Sequence, residues 1–170
     1  MAITTATLAD VPELVLLINS AYRGESSKKG WTTEANLIEG QRIDHKSLTE
    51  QMTDPAATIL KNTNGEGKIT GCVYLLKQKT KLYLGMLTVS PLLQANGLGR
   101  QLLAAAEDFA TSIKYNTITM TVITTRHELL NWYERRGYRK TGEVIPLIIP
   151  KTFGILKQPV EMYKLDKNVG

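Results

Sequence analysis

The chain has 170 residues, the size of one ordinary domain, and we infer that residues 1–170 form a single domain. Hydrophobic residues make up 42%, which is enough for a packed core and excludes a disordered polypeptide. The formal net charge is +5, but the basic residues are scattered and lack an interleaved aromatic platform, so we expect no nucleic-acid partner.

The first predicted elements are a short strand, Ile3–Ala6, and an amphipathic helix that ends near Gly24. Asp10 and Glu13 have the spacing of a capping box at the start of this helix. Its apolar stripe, which follows the period of one helix face, consists of Val11, Leu14, Ile18 and Ala21.

Short helices are predicted in the segment that follows that helix. A polar, glycine-bounded loop at Glu25–Gly30 comes first, and a short helix is predicted from Thr32 or Thr33 to Glu39. A further helical turn or two is predicted around Ser47–Glu50.

The middle of the chain predicts three strands joined by short turns, at Ala57–Asn62, Ile69–Lys77 and Leu82–Val89. Such short connections predict an antiparallel meander. Gly85 lies inside the third strand, and a glycine in a strand often marks a bulge. A bulge there would splay this strand away from the next strand, Thr117–Thr124.

Helix and strand patterns alternate in the last part of the chain. The predicted elements are a long amphipathic helix from Leu98 to Ile113, the strand Thr117–Thr124, a helix His127–Arg136 stopped by Gly137, and two strands, Tyr138–Ile145 and Pro159–Leu165. The connection Pro146–Gln158 is unusually apolar for a loop, so it either packs on the core or lines a pocket.

Targeting features and cysteine usage indicate a cytoplasmic protein with no membrane partner. No stretch approaches the roughly eighteen apolar residues of a membrane span, and Met1–Thr7 lacks the pattern of a secretion signal. The one cysteine, Cys72, cannot form an internal disulfide and suits a reducing compartment.

The most informative stretch is the loop Gln94-Ala95-Asn96-Gly97-Leu98-Gly99-Arg100, which joins a strand end to the long helix. The two glycines allow a tight turn and close approach of a ligand to the backbone. Free amides at a helix N-terminus, together with the cation of Arg100, favour binding of a phosphate. The loop lacks the Gly-Lys-Ser/Thr of a Walker motif, and Leu102 holds the third glycine position of a dinucleotide fingerprint.

These residues resemble the acetyl-CoA motif of the GNAT superfamily of N-acetyltransferases. Val89-Ser90-Pro91 followed by Gln94-Ala95-Asn96-Gly97-Leu98-Gly99 is similar to a Val-x-Pro strand end and the family's Gln/Arg-x-x-Gly-x-Gly/Ala loop. A second match lies at Leu130-Asn131-Trp132-Tyr133-Glu134-Arg135-Arg136-Gly137-Tyr138, which resembles the family's Leu-Tyr-x-x-x-Gly-Phe helix end. The resemblance covers nearly the whole chain.

The resemblance implies the GNAT fold, an α/β (mixed α+β) architecture in which a central, mostly antiparallel, splayed sheet of about seven strands is flanked by helices. It implies acetyl-CoA as co-substrate and no metal. The residues that this resemblance assigns to cofactor binding are Leu87, Thr88 and Val89 by their backbone, and Gln94, Ala95, Asn96, Gly97, Leu98, Gly99 and Arg100. Family members often carry an asparagine seven residues before the motif tyrosine; this chain has Arg126, which leaves open a charge contact to a phosphate or to the acceptor.

Direct attack of an amine on the thioester is the implied reaction, with Tyr133 as the acid that protonates the departing thiolate. The alternative is that Tyr133 only packs its helix against the core. Backbone N–H at Leu87 or its neighbours is the implied donor to the oxyanion. No carboxylate occupies the strand position where many members carry a glutamate base, so the general base stays unassigned.

The acceptor is expected near Gly24–Asp44 and the loop Pro146–Gln158, and the candidate substrate-binding residues are Trp31, Glu34 and Arg42. Glutamates there favour a cationic amine, whereas Arg42 favours a substrate with a carboxylate, and each is also compatible with ordinary solvated surface. We expect a small-molecule primary amine as acceptor. Acetylation of a protein amine, a non-catalytic acyl-CoA-binding regulatory module and a homodimer stay open.

Overall fold

The computed structural model describes residues 2–22, 38–39, 42–93, 97–147, 155–156 and 159–170. Its strands are β1 (Ala2–Thr5), β2 (Ile38–Glu39), β3 (Ala57–Thr63), β4 (Ile69–Lys77), β5 (Leu82–Val89), β6 (Thr117–Ile123), β7 (Arg139–Pro146), β8 (Ile155–Leu156) and β9 (Glu161–Asn168). Its helices are α1 (Val11–Tyr22), α2 (His45–Thr53), α3 (Leu98–Ser112) and α4 (His127–Glu134), with a 3-10 turn at Leu8–Asp10. None of these described helices is long and apolar enough to cross a membrane.

Within the described part of the chain, seven strands form one sheet in the order β1-β3-β4-β5-β6-β9-β7. The pair β5–β6 is parallel, and the other neighbouring pairs are antiparallel. The predicted meander is confirmed as β3-β4-β5. The mostly antiparallel α/β sheet that the resemblance implied is therefore confirmed. The short strands β2 and β8 pair separately, through Ile38 with Leu156 and Glu39 with Ile155.

Helices cover both faces of the sheet because neighbouring strand residues point to opposite sides. On one face the stripe of α1 packs with Leu48 of α2 and with Ile59, Cys72 and Met86 of the strands. On the other face α3 packs on a larger cluster, whose strand members include Leu60, Val73, Leu84, Leu87 and Val89. The core thus consists of two clusters separated by the sheet.

The strand β5 carries the bulge that Gly85 predicted. Cys72 pairs with Thr88 and Tyr74 with Gly85, so β5 has one more residue than β4 between these two pairs. Met86 adopts φ 48°, a left-handed conformation that is uncommon for a residue with a side chain. Beside β6, the parallel pairing covers only Leu82 with Ile118 and Tyr83 with Thr119. After Tyr83 the two strands separate and leave a gap in the sheet.

Three local predictions differ from the structure. The predicted capping box of Asp10 and Glu13 is wrong: Asp10 instead accepts from the Thr7 amide at 2.8 Å, and Glu13 accepts from the amide of Ile69 at 2.7 Å. A hydrogen bond from the backbone of β4 therefore takes the carboxylate that local spacing had assigned to a helix cap. The predicted helix to Glu39 is wrong at its end, because Ile38–Glu39 pairs as a strand with β8. The rest of that helix lies outside the described residues.

The helix α2 begins earlier than its sequence predicted. Asp44 is its N-cap and accepts a hydrogen bond from the amide of Ser47 at 2.7 Å, so the helix already starts at His45. An aspartate at the N-cap satisfies an amide that the first turn leaves without an intrahelical partner.

Candidate active site

The gap between β5 and β6 gathers most of the predicted site residues that the structure describes. Leu87, Thr88 and Val89 form the end of β5 directly after the bulge and are all buried. The Leu87 carbonyl accepts a hydrogen bond from the Tyr22 hydroxyl at 2.5 Å, and the Thr88 hydroxyl donates to the Met86 carbonyl at 2.8 Å. After Tyr83 the backbone of β5 has no ladder pairs with β6, and the Leu87 carbonyl binds Tyr22 instead.

The helix α3 begins beside this strand end with an unusual N-terminus. Gly97 is the N-cap and adopts φ 76° without a side-chain cap, a conformation that glycine reaches at no steric cost. The first intrahelical bond runs from the Gln101 amide to the Gly97 carbonyl at 3.1 Å, so the amides of Leu98, Gly99 and Arg100 precede it. The first turn holds no acidic residue but an exposed arginine, Arg100. A cation opposes the helix dipole there, so this end is suited to an anion from outside the helix.

Gly99, in this first turn, lies close to α4 and to the end of β5. A side chain placed at Gly99 would meet the ring of Trp132 at 3.6 Å and the side chain of Val89 at 3.7 Å. These are ordinary contact distances, so the glycine brings the N-terminus of α3 close to both α4 and the end of β5. The remaining predicted loop residues, Gln94, Ala95 and Asn96, lie outside the described residues.

The predicted acid, Tyr133, lies on the last turn of α4 and is only 6% exposed. Gly137, with φ 96°, ends this helix, and the amides of Tyr138 and Gly137 donate to the carbonyls of Tyr133 and Glu134 at 3.2 and 3.1 Å. The Tyr133 ring packs edge-on against Trp132 and Tyr138, with centroids at 5.1 and 5.9 Å. This packing fixes the phenol in position.

Burial raises the pKa of Tyr133 well above its usual range, and the neighbouring phenols of Tyr22 and Tyr83 add to the shift. The Tyr133 hydroxyl has no hydrogen-bond partner among the residues that the structure describes. A neutral phenol in such a setting can donate a proton but does not ionise by itself near neutral pH.

Of the predicted acceptor residues, the structure describes Arg42. Its guanidinium lies 5.6 Å from the centroid of the Tyr22 ring, the same ring whose hydroxyl reaches the Leu87 carbonyl. Asn19 holds the backbone here, because its side-chain oxygen accepts from the amides of Arg42 and Ile43 at 2.5 and 3.1 Å. Arg42 is thus near the gap. Trp31 and Glu34 lie outside the described residues.

Two features of the site were missed in the sequence. Arg136 stacks its guanidinium 3.9 Å from the ring of Trp132, and its Nη1 donates to the Trp132 carbonyl at 2.9 Å. Its buried Nε has no hydrogen-bond partner among the described residues, and burial together with Arg135 and Arg100 lowers its pKa. In the sequence, Arg136 stands out only as part of a run of basic residues, which does not predict this stacking. The second feature is Tyr83, which lies where β5 and β6 separate and adds to the raised pKa of Tyr133.

Cys72 is buried, and that burial raises the pKa of its thiol to about 12. A thiol in this state is a packing residue rather than a nucleophile. Among the residues that the structure describes, no group of three or more His, Cys, Asp or Glu side chains is arranged to hold a metal ion.

Arg126, which stands where relatives often carry an asparagine, is the N-cap residue of α4. Its carbonyl accepts from the amide of Leu130 at 2.9 Å. The outer face of the same helix borders a cavity of about 370 Å³, lined by Glu128, Asn131, Trp132 and Arg135. Trp132 lies between this cavity and the start of α3, since a Cβ at Gly99 would meet its ring at 3.6 Å.

A family model described as an acetyltransferase (GNAT) domain matches residues 27–145 of the chain. No curated protein sequence matches the chain. Solved structures match it over nearly its whole length at low identity, and they bear on the fold alone.

Among them, a Streptococcus mutans protein, smu.2055, superimposes with a TM-score of 0.75 at 16% identity, covering 100% of both chains. The ribosomal-protein-S18-alanine N-acetyltransferase from Escherichia coli has a TM-score of 0.74 at 15% identity, over 99% of this chain and 94% of that one. A spermidine N-acetyltransferase chimera from Vibrio cholerae and hSSAT has a TM-score of 0.71 at 13% identity, over 99% and 95%.

Proposed function

This chain belongs to the GNAT acetyltransferase family, and on that premise we propose that it transfers the acetyl group of acetyl-CoA to a primary amine of a small molecule. The observation that carries the proposal is the joint placement of two groups at one gap in the sheet. After burial, Tyr22 and Tyr83 add to the raised pKa of the Tyr133 phenol. Tyr22 also bonds to Leu87 at the bulged end of β5, which supports a position of this phenol at the gap.

The family uses acetyl-CoA as co-substrate, and the described residues suit that molecule. The amides of Leu98, Gly99 and Arg100 offer donors to its pyrophosphate at the positive end of α3. Arg100 and Arg136 place positive charge beside them, which suits the remaining phosphate. The backbone of Leu87–Val89 would take the pantetheine arm, and Gln94, Ala95 and Asn96 would complete the phosphate loop.

In the proposed reaction the neutral amine attacks the thioester carbonyl carbon, a C–N bond forms, and the C–S bond breaks. The backbone N–H of Leu87 donates to the oxyanion, and Tyr133 gives its proton to the departing thiolate. The amine loses one proton in forming the amide, and that proton restores the phenol through solvent. Atoms and protons therefore balance without a covalent enzyme intermediate. Trp31, Glu34 and Arg42 would contact the acceptor.

A second candidate is acetylation of a protein amine. The Escherichia coli neighbour, named for ribosomal protein S18, supports this candidate, whereas the spermidine-named neighbour supports the first. Both carry the same fold, so the fold does not choose between them. A non-catalytic acyl-CoA-binding module is the third candidate. The presence of Tyr133 argues against it, whereas the absence of a carboxylate at the base position of β5 argues weakly for it.

Release of the CoA thiol, measured with one panel of amines, tests the proposal. The panel contains polyamines, amino acids, aminated sugars and short peptides with a free N-terminal amine. We expect at least one small amine to accelerate thiol release and to appear as its acetyl amide by mass spectrometry. Acceleration by the peptides alone would favour the protein acceptor, and acetyl-CoA binding without any turnover would favour the non-catalytic module.

A further inference from the structure

Tyr83 occupies the closed end of the gap between β5 and β6. It is the last residue of β5 with a parallel partner, Thr119, and the strands separate directly after it. Its neighbours Leu82 and Leu84 both belong to the cluster under α3. Because strand residues alternate, Tyr83 faces the other side of the sheet, which α1 and α2 cover.

The ring of Tyr83 lies along its own strand rather than standing away from it. A Cβ atom placed at Gly85 would meet Tyr83 Cε2 at 2.9 Å, its hydroxyl oxygen at 3.1 Å and its Cζ at 3.3 Å. The far end of the ring therefore lies over Gly85, and its hydroxyl lies beside this residue, directly before Met86 in the bulge. Tyr74 supports the ring edge-on, with the centroids 6.4 Å apart and the planes at 68°. Only glycine at position 85 leaves room for this arrangement.

This position brings the Tyr83 hydroxyl toward the part of the gap where the Leu87 N–H is proposed to bind the oxyanion. The α3 N-terminus and Tyr133 lie on the face of the sheet opposite to Tyr83. If the cofactor enters from that face, the acceptor amine must approach the acetyl carbon from the face of Tyr83. Tyr22 and Arg42 flank the same side, since the Tyr22 hydroxyl bonds to Leu87 and Arg42 lies over its ring.

We propose that Tyr83 is the acceptor-binding residue that orients the amine: its hydroxyl oxygen accepts a hydrogen bond from the attacking nitrogen at the closed end of the gap. The inference rests on the proposed function and deepens it. The hydrogen bond directs one N–H toward Tyr83 and leaves the nitrogen lone pair aimed at the carbonyl carbon. Holding reactants in this way contributes to the rate by orientation.

The proposed contact affects which protonation state of the acceptor amine the site binds. A phenol oxygen lacks the negative charge of a carboxylate, so it gives less stabilisation to an ammonium than a glutamate would. The site then binds the neutral amine from solution. We expect kcat/KM for the acceptor to rise with pH until the pKa of the free amine is reached.

The experiment uses two stable CoA derivatives that place either an N–H or a methylene where the acceptor nitrogen would lie. One carries –CH2–CO–NH–CH3 on its sulfur, and the other carries –CH2–CO–CH2–CH3. Their affinities for wild type, Tyr83→Phe and Tyr74→Phe are measured by calorimetry. Tyr74→Phe is the matched control, because it removes a hydroxyl from the supporting ring on the neighbouring strand.

We expect wild type and Tyr74→Phe to bind the amide derivative about three- to tenfold more tightly than the ketone, the worth of one hydrogen bond. Tyr83→Phe should lose this preference and keep its affinity for the ketone, which also shows that the variant is folded. Equal affinities in wild type, or a preference that survives in Tyr83→Phe, would overturn the inference while leaving the cofactor site intact. Failure of wild type to bind either derivative or acetyl-CoA would instead overturn the proposed function, and this inference with it.

Discussion

At the scale of single residues, Tyr133 carries the sharpest mechanistic prediction. Tyr133→Phe removes one hydroxyl and keeps the ring that packs against Trp132 and Tyr138, so α4 should remain folded. Turnover should fall by roughly two to four orders of magnitude, the usual worth of a general acid. Affinity for acetyl-CoA, measured by calorimetry, should change little. A rate within about threefold of wild type, with chemistry shown to limit turnover, would reduce Tyr133 to a packing residue.

The pH dependence of stability gives a second prediction about the same phenol. The pKa of Tyr133 is raised in the folded state, so at high pH the unfolded chain loses a proton that the folded chain keeps. The free energy of unfolding should therefore be insensitive to this group below about pH 10 and fall above it, by about 1.4 kcal/mol per pH unit. Urea unfolding of wild type and Tyr133→Phe between pH 8 and 11 measures this, and the variant should show the shallower fall. Parallel curves would contradict the burial of the phenol.

The same raised pKa means that Tyr133 contributes no alkaline limb to the rate profile in the working range. A fall in kcat between pH 7 and 9 would require another group. The sequence placed Tyr133 in its motif but did not reveal this pKa, because the burial comes from Trp132, Tyr138 and the opposite side of the gap.

At the scale of elements, the N-terminus of α3 gives a third prediction. Gly99→Glu puts a negative charge among the amides proposed to hold the pyrophosphate and pushes a side chain toward Trp132 and Val89. Acetyl-CoA affinity should fall by at least about tenfold, since both effects oppose an anion there. Calorimetry measures the affinity, and a melting curve reports folding.

Gly65→Glu is the matched control for that substitution. It adds the same charge at an exposed turn where a Cβ would meet nothing within 4 Å. We expect wild-type affinity in this control. Unchanged affinity in a folded Gly99→Glu variant would mean that the phosphates bind elsewhere.

The helices and strands also show which parts of the fold could be predicted from the sequence. Periodicity and turn residues predicted the meander, the long helix and the final helix, because each element buries one face with a regular period. Gly85 predicted the bulge, and the loop motif predicted where α3 begins. The Ile38–Glu39 strand was missed, since a two-residue strand is defined by its partner β8 rather than by its own sequence. The capping box was misplaced because Glu13 bonds across to Ile69, fifty-six residues away.

At the scale of the whole molecule, the site depends on contacts that no local pattern contains. Tyr22, Tyr83 and Tyr133 come from three separate elements, and after burial the first two phenols add to the raised pKa of the third. Sequence motifs therefore indicated the proposed cofactor side of the gap and Arg42, whereas the proposed acceptor contact at Tyr83 follows from the topology of the sheet. The proposed single domain, the homodimer and the cytoplasmic location remain predictions.

Binding of acetyl-CoA to the gap and to the N-terminus of α3 should also stabilise the whole fold, because a ligand that binds only the folded chain shifts the unfolding equilibrium toward it. Thermal unfolding followed with increasing acetyl-CoA is therefore the most direct test of the central claim that the gap and the N-terminus of α3 form an acetyl-CoA site. At one hundred times the dissociation constant the ligand should add about 2.7 kcal/mol to the free energy of unfolding, with a matching rise in Tm. A melting curve that does not move at millimolar acetyl-CoA would contradict the claim.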